Sequence, residues 1–102
     1  MKDAEINLAI AKIEYPDYKI ESWISSAAVT PLRHPNIKGI DYMQWCWIGP
    51  IIEREGIDIL FHGTHWLASS PPLGDPKTYA EVVADKPAKA AALCYLKMKG
   101  GE

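Results

Sequence analysis

The sequence predicts an α+β domain, with an antiparallel β-sheet and a helix at each terminus forming an α/β/α-type sandwich. Three observations lead there. An amphipathic helical pattern opens the chain at Asp3 to Glu14, and an Ala-rich one closes it from Ala88 to Lys99. Between them, Ile57–Phe61 and Trp66–Ser69 flank the turn His62-Gly63-Thr64-His65, which reads as a β-hairpin. With 102 residues the chain makes one small domain, residues 1–102. At that length roughly 65% of the unfolded surface is buried on folding, enough for a modest core.

In the first helix, Asp3 is a cap candidate, and Ile6, Ala9, Ile10 and Ile13 recur at helical spacing as one apolar stripe. Pro16 disfavours α geometry at Tyr15 and ends it. Tyr18 to Ile24 reads as a strand, and Ser25 to Asp41, with Pro31 and Pro35, as a long irregular connection. Loops of that length within small domains often carry function. Asp41 to Ile48 reads as a short strand with Trp45 and Trp47 on one face. Pro50 suits the first position of a helical turn ending at Gly56, a C′ position where φ > 0 is needed.

In the hairpin, Gly63 followed by Thr64 is a II′ turn pattern, with Ile57, Ile59 and Phe61 on one face. Ser69 to Pro76 is rich in turn residues. Tyr79 to Val83 favours a third main strand, with a helix from Thr78 as the competing reading. In the last helix Asp85 is a cap candidate and Pro87 fits the first turn. Ala88, Ala91, Ala92 and Tyr95 form a small-residue face suited to close packing on a sheet.

Composition bounds function. Hydrophobic residues make up 48% of the chain, including four Trp, and the net charge is −2. Without a basic face or tail, nucleic acid is not an expected partner. No apolar run approaches the ~20 residues of a membrane helix, so no membrane association is expected. The polar opening Met1–Glu5 shows no signal peptide, which points to the cytoplasm. Cys46 and Cys94 lie in apolar settings and are expected as buried free thiols.

Motifs for chemistry are sparse. His62 and His65 flank the turn with His34 remote, an arrangement expected of exposed turn histidines rather than a zinc site of three or four ligands. Glu53, Arg54, Glu55 and Asp58 read as a solvated, ion-paired turn. No G-x-S-x-G elbow, G-x-G-x-x-G or P-loop is present. No catalytic residue, metal or cofactor is therefore assigned.

Two surfaces stand out. Trp45, Trp47 and Trp66 form a candidate aromatic patch, although the Lys and Arg that accompany nucleobase-stacking aromatics are scarce around them. On the last helix Lys86, Lys89 and Lys97 accompany Leu93 and Leu96, a candidate interaction surface for a second copy or another protein. The alternative reading there is a solvated face, with Lys stems laid over apolar surface.

The segment Gly49-Pro50-Ile51-Ile52-Glu53-Arg54-Glu55-Gly56-Ile57, with Trp45 before it and Trp66 in the returning strand, resembles the core motif of the phage NinX-like proteins. The closing Pro87-Ala88…Cys94-Tyr95-Leu96 is similar to that family's last helix, and the opening helix resembles related phage "ABA sandwich" domains. The resemblance implies helices flanking a β-sheet and a phage or prophage protein acting inside the bacterial host. It supplies no catalytic residues. The expected function is a non-enzymatic protein-interaction module, binding a host or phage protein or itself as a homodimer. The alternative is a weak nucleic-acid or small-ligand binder that uses the Trp-bearing sheet and the Ser25 to Asp41 loop.

Overall fold

In a computed structural model the fold is described over residues 2–22, 26–71 and 80–100. The order is α1 (Asp3–Glu14), β1 (Ile20–Ser22), β2 (Val29–Pro31), α2 (Trp45–Glu55), β3 (Asp58–His62), β4 (His65–Ser69), β5 (Glu81–Ala84) and α3 (Pro87–Met98). It is α+β, with two antiparallel sheets: β1–β2, and β3–β4–β5 in that spatial order. Helix α3 lies on β4 and β5 and also packs against α1 and α2, while α1 also covers β1 and β2.

Helix α1 follows the predicted bounds. Asp3 is its first helical residue, and Lys2, one residue earlier, is the cap, its backbone N–H donating to Glu5 Oε1 at 3.0 Å. The buried stripe is Ile6, Asn7, Ile10 and Ala11, with Leu8, Ala9 and Ile13 partly buried against the core. Asn7 is thus a fully buried polar residue inside an apolar face. Its Nδ2 donates to Ala27 O at 2.9 Å and to Asp41 Oδ1 at 3.0 Å, and its Oδ1 accepts the Tyr42 N–H at 2.8 Å. Three bonds offset the cost of burying the amide.

Asn7 therefore anchors both ends of the segment expected to be an irregular loop. That segment is ordered between its anchors. Strand β2 pairs with β1 in the register Ile20↔Pro31, Glu21↔Thr30 and Ser22↔Val29. Ile40 extends it, exchanging backbone bonds with Val29 at 2.8 and 2.9 Å. The Thr30 hydroxyl also donates to Lys38 O. Strand β1 occupies the middle of the predicted Tyr18 to Ile24 strand, and Trp23 to Ser25 lie outside the described residues.

The largest departure from expectation is α2. The predicted strand from Asp41 to Ile48 is a turn running into a helix of 11 residues, and Pro50 is its sixth residue rather than its first. The Asp41 carboxylate accepts the Met43 N–H at 3.0 Å, and Gln44 O accepts the Trp47 and Ile48 amides, which starts the helix. Trp47, Ile48, Ile51 and Ile52 fall on one helical face and are buried or half-buried. Pro50 is on the exposed side and its missing N–H deprives Cys46 O of its helical partner. Cys46 is also exposed, so water can satisfy that carbonyl. At the C-terminus Gly56 takes φ 69 as expected. A Cβ there would meet Pro71 Cγ at 3.2 Å.

The hairpin forms as read, with Asp58↔Ser69 through His62↔His65 in register and Gly63 at φ 71. Strand β5 replaces the predicted Tyr79 to Val83 strand by Glu81–Ala84, and residues 72–79 lie outside the described residues. Helix α3 starts with Pro87 as its first residue and Lys86 as cap, one residue beyond the expected Asp85. It buries Ala88, Ala90, Ala91, Ala92, Cys94, Tyr95 and Leu96. A helix apolar on so many sides belongs in the interior. Small Ala side chains let both layers approach its backbone.

One polar cluster joins the C-terminal ends of the three helices. Arg54 of α2 donates through both Nη atoms to Glu14 of α1 at 3.0 Å each, and through Nε to Glu55 at 2.9 Å. The Tyr95 hydroxyl of α3 donates to Glu14 Oε2 at 2.6 Å, and Lys99 pairs with Glu55 at 3.2 Å. Burial alone would raise Glu14, but hydrogen bonds from Arg54 and Tyr95 outweigh it and hold the carboxyl below its ordinary value of 4.5. Glu55 is likewise lowered against burial, by its bonds from Arg54 and Lys99.

Two predictions follow from these contacts. Asn7→Leu leaves the buried Tyr42 amide without a partner and removes the part-buried bond to Ala27 O, and should cost about 2–4 kcal/mol of unfolding free energy in urea titration. The carboxyl values lowered by folding set the sign of the acid response. Their stabilisation is present above the ordinary value of 4.5 and is lost as pH falls through the lowered folded values. Thermal unfolding should therefore shift downward from about pH 5 to about pH 3, and Glu14→Gln should flatten that slope. An unchanged slope in Glu14→Gln would remove Glu14 from the account.

Candidate interaction surface

The two faces of the β3–β4–β5 sheet are fixed by register. Ile59, Ala68 and Val82 stand opposite one another, as do Leu60, Leu67 and Val83. The first row faces the core, where Ala68 is fully buried and Ile59 and Val82 pack on the apolar cluster. Side chains alternate along each strand, so Leu60, Leu67 and Val83 point to the other face. Among the described residues no helix or strand is packed there.

That second face carries an apolar row across all three strands. Leu60 is 57% exposed, Val83 59%, and Leu67 between them is half-buried. Single exposed apolar side chains are ordinary, but three in one cross-strand row form a patch. On the same face, Asp58, Ser69 and Glu81 form the flanking row on one side, and His62 and His65 close the hairpin on the other. His65 Nδ1 lies 2.8 Å from Thr64 Oγ1. The sequence carried this signal: outward positions of an antiparallel strand should be polar, and these three are not.

The α3 surface predicted from sequence divides. Leu96 is 1% exposed and belongs to the core, which corrects its place on an interaction surface. Lys89, Leu93 and Lys97 recur every four residues, and Leu96, seven residues after Lys89, borders that stripe on its covered side. Leu93 is half-buried against the core. Lys89 pairs with Asp3 of α1 at 3.3 Å, Lys97 Nζ donates to Glu81 O at 3.4 Å, and Lys86 is exposed at the cap. Two of the three lysines thus tie α3 to its neighbours.

The aromatic patch also divides. Trp45 and Trp47 are two residues apart on a helix and cannot share one face as strand residues would. Trp45 is 53% exposed, while Trp47 packs edge-on to the buried Tyr42 with centroids 6.5 Å apart. Trp66 is the sheet's Trp and stacks at a tilt on Phe61, 4.9 Å away. Phe61 lies on the α3 side of the sheet and is still 55% exposed, because α3 sits over β4 and β5 more than β3.

The loop region forms an open cleft of about 410 Å³ lined by residues that include Glu21, Pro31, Arg33, His34, Ile37 and Lys38. His34 packs against Tyr18 and Tyr15, with centroids 5.0 and 5.7 Å away, and its Nδ1 accepts the Asn36 N–H at 3.1 Å. His34 is thus held as part of an aromatic cluster beneath the loop. Arg33 takes φ 67, an uncommon value for a residue with a side chain.

Among the described residues no group of three or more His, Cys, Asp or Glu is placed to hold a metal ion, and no helix is long and apolar enough to cross a membrane. Both cysteines are free. Cys46 is exposed at the first turn of α2, which corrects the reading of both thiols as buried. The helix shift explains it: Trp47 and Ile48 take the buried face and Cys46 falls outside it. Cys94 is buried with its Sγ 3.8 Å from Ala80 O, and burial pushes its thiol up to about 11. A thiol reagent at neutral pH should therefore modify one cysteine per native chain quickly, and the second only in denaturant. Fast labelling of both in the native protein would contradict the packing of α3. Comparison with family models, curated proteins and solved structures returned no match.

Proposed function

We propose that this protein is a non-enzymatic interaction module that docks other proteins on the outer face of its β3–β4–β5 sheet. The observation that carries the reading is the in-register row Leu60, Leu67 and Val83 on a sheet face otherwise suited to water. Covering such a row contributes roughly 25 cal/mol per Å² of apolar surface removed from water. That is the usual driving force of protein association. The resemblance of the Gly49–Ile57 segment and the closing helix to phage NinX-like proteins supports placing this module among phage or prophage accessory proteins acting in the host cytoplasm.

The alternative of a nucleobase-binding sheet loses its physical basis. Among the described residues only Trp66 stands on the sheet, and its neighbour Phe61 is the aromatic it stacks on. The net charge of −2 gives no general attraction for phosphate.

Leu67→Glu and Val83→Glu place charge in the middle and at the end of the row while leaving the core-facing row intact. Compared with wild type as affinity baits in host-cell extract, both should lose the same captured protein. Glu53→Gln, on exposed α2, should keep it, and all four baits should melt within a few degrees of one another. Retention of every captured protein by Leu67→Glu and Val83→Glu would sink the sheet-face reading.

A further inference from the structure

Strand β3 is an edge of the sheet, since β4 is its only partner strand among the described residues. It has five residues, Asp58-Ile59-Leu60-Phe61-His62, with no Pro, no Lys and no bulge, and its one acidic side chain, Asp58, stands at the end of the strand. Two of the large exposed apolar side chains, Leu60 and Phe61, are consecutive here. They point to opposite faces of the sheet. A partner on the outer face would cover Leu60 and leave Phe61 in water, whereas a strand laid along the edge approaches both.

The backbone direction along this edge can be derived. Ser70 N–H donates to Ala80 O at 2.8 Å, so Ser70 faces β5. Antiparallel strands alternate the direction of their hydrogen-bonding groups residue by residue. Ser69, Leu67 and His65 therefore face β3, and their partners Asp58, Leu60 and His62 bond back to β4. The N–H and C=O groups of Ile59 and Phe61 consequently point outward, away from the sheet.

We infer that β3 pairs antiparallel with β3 of a second copy of this chain about a two-fold axis at Leu60, joining the two sheets into one of six strands. This register satisfies the strand at every position. Ile59 and Phe61, the two residues with outward backbone groups, fall opposite Phe61 and Ile59 of the second copy and can exchange both hydrogen bonds in each pair. Their side chains meet on the α3 side of the sheet, covering the Phe61 ring. Asp58 falls opposite His62 of the second copy, an acid against an imidazole, at both ends. Leu60 meets Leu60 of the second copy on the outer face. Centring the register on Ile59 or Phe61 instead sets Asp58 against Leu60 or beyond the strand, and loses these matches. Helix α3 packs mainly on β4 and β5, so among the described residues it covers the β3 side least. The contact uses the edge of the sheet and stands or falls apart from docking on its outer face.

The test is cysteine crosslinking of the full chain in a Cys46→Ser background, with light scattering on the wild type. Opposed residues in a pair without mutual backbone bonds lie about 4.5 Å apart at Cα, within disulfide range. Leu60→Cys should form a reducible covalent dimer under mild oxidation. Leu67→Cys, on the same face but one strand further from the axis in each copy, should form none. Wild type should move with concentration from 11.4 kDa towards twice that mass. Phe61→Pro, which removes an outward N–H but no bond to β4, should weaken self-association at least about tenfold. Leu60→Lys should do the same by placing like charges on the axis, with the fold of each variant checked by circular dichroism. A wild type that stays at the monomer mass up to about 1 mM would overturn the inference. So would crosslinking at Leu67 as fast as at Leu60, because that marks sheets packed face to face.

Discussion

The buried amide of Asn7 is the constraint on which most of this fold depends. An asparagine with no exposed surface is tolerable only if its donors and acceptor are matched, and here the matches lie 20 to 35 residues away in sequence. Ala27 and the Asp41–Tyr42 pair are held to α1 by one side chain. The chain between them then has fixed ends, which lowers the entropy cost of forming the short β1–β2 pairing and the Val29–Ile40 bridge. The same Asp41 carboxylate that accepts from Asn7 also accepts the Met43 amide and turns the chain into α2. Position and direction of α2 thus trace back to a residue on α1.

A second constraint acts at the opposite end of the helices. Arg54, Glu14 and Tyr95 come from three different helices and satisfy one another. Arg54 is half exposed, so the Coulombic part is screened by solvent and its worth is modest. Its value is directional: a forked guanidinium on a carboxylate admits few orientations. The apolar energy comes instead from α3, whose Ala88, Ala90, Ala91 and Ala92 bring the sheet on one side and helices on the other close to a single backbone. Asn7 and Arg54 orient what α3 holds together.

These two devices also explain what could and could not be read beforehand. Helices α1 and α3 and the β3–β4 hairpin are local objects. Their signals, helical periodicity, Ala content and a Gly-Thr turn between alternating strands, act within a few residues, and they formed close to the expected bounds. Strand β2 is not legible in the sequence because three residues with Pro31 among them carry no periodic signal, and the segment that holds them is positioned from α1 by Asn7. Helix α2 is masked in the sequence because Pro50 imitates a helix start, while the apolar spacing of Trp47, Ile48, Ile51 and Ile52 runs straight through it. Proline is tolerated there because the freed carbonyl is on the wet side. The interaction residues divided for the same reason. Leu96 is a surface position only on a helix covered on one side, and α3 is covered on several.

The apolar row was legible in principle, since Leu60, Leu67 and Val83 occupy the outward positions of three strands. Recognising it required the register across strands, which no single strand reveals. The register also sorts the uncovered apolar surface into two kinds. Leu67 and Val83 belong to a face, whose covering requires only a complementary apolar surface. Phe61 belongs to an edge, because it lies on the covered side of the sheet and is exposed only where α3 stops short. Leu60 belongs to both. Pairing β3 across a two-fold axis would place six apolar residues, Val83, Leu67 and Leu60 from each copy, in one continuous row. The area offered to a docking partner would then double while the edge that invites aggregation is closed, so the two kinds of exposed surface support one another rather than compete.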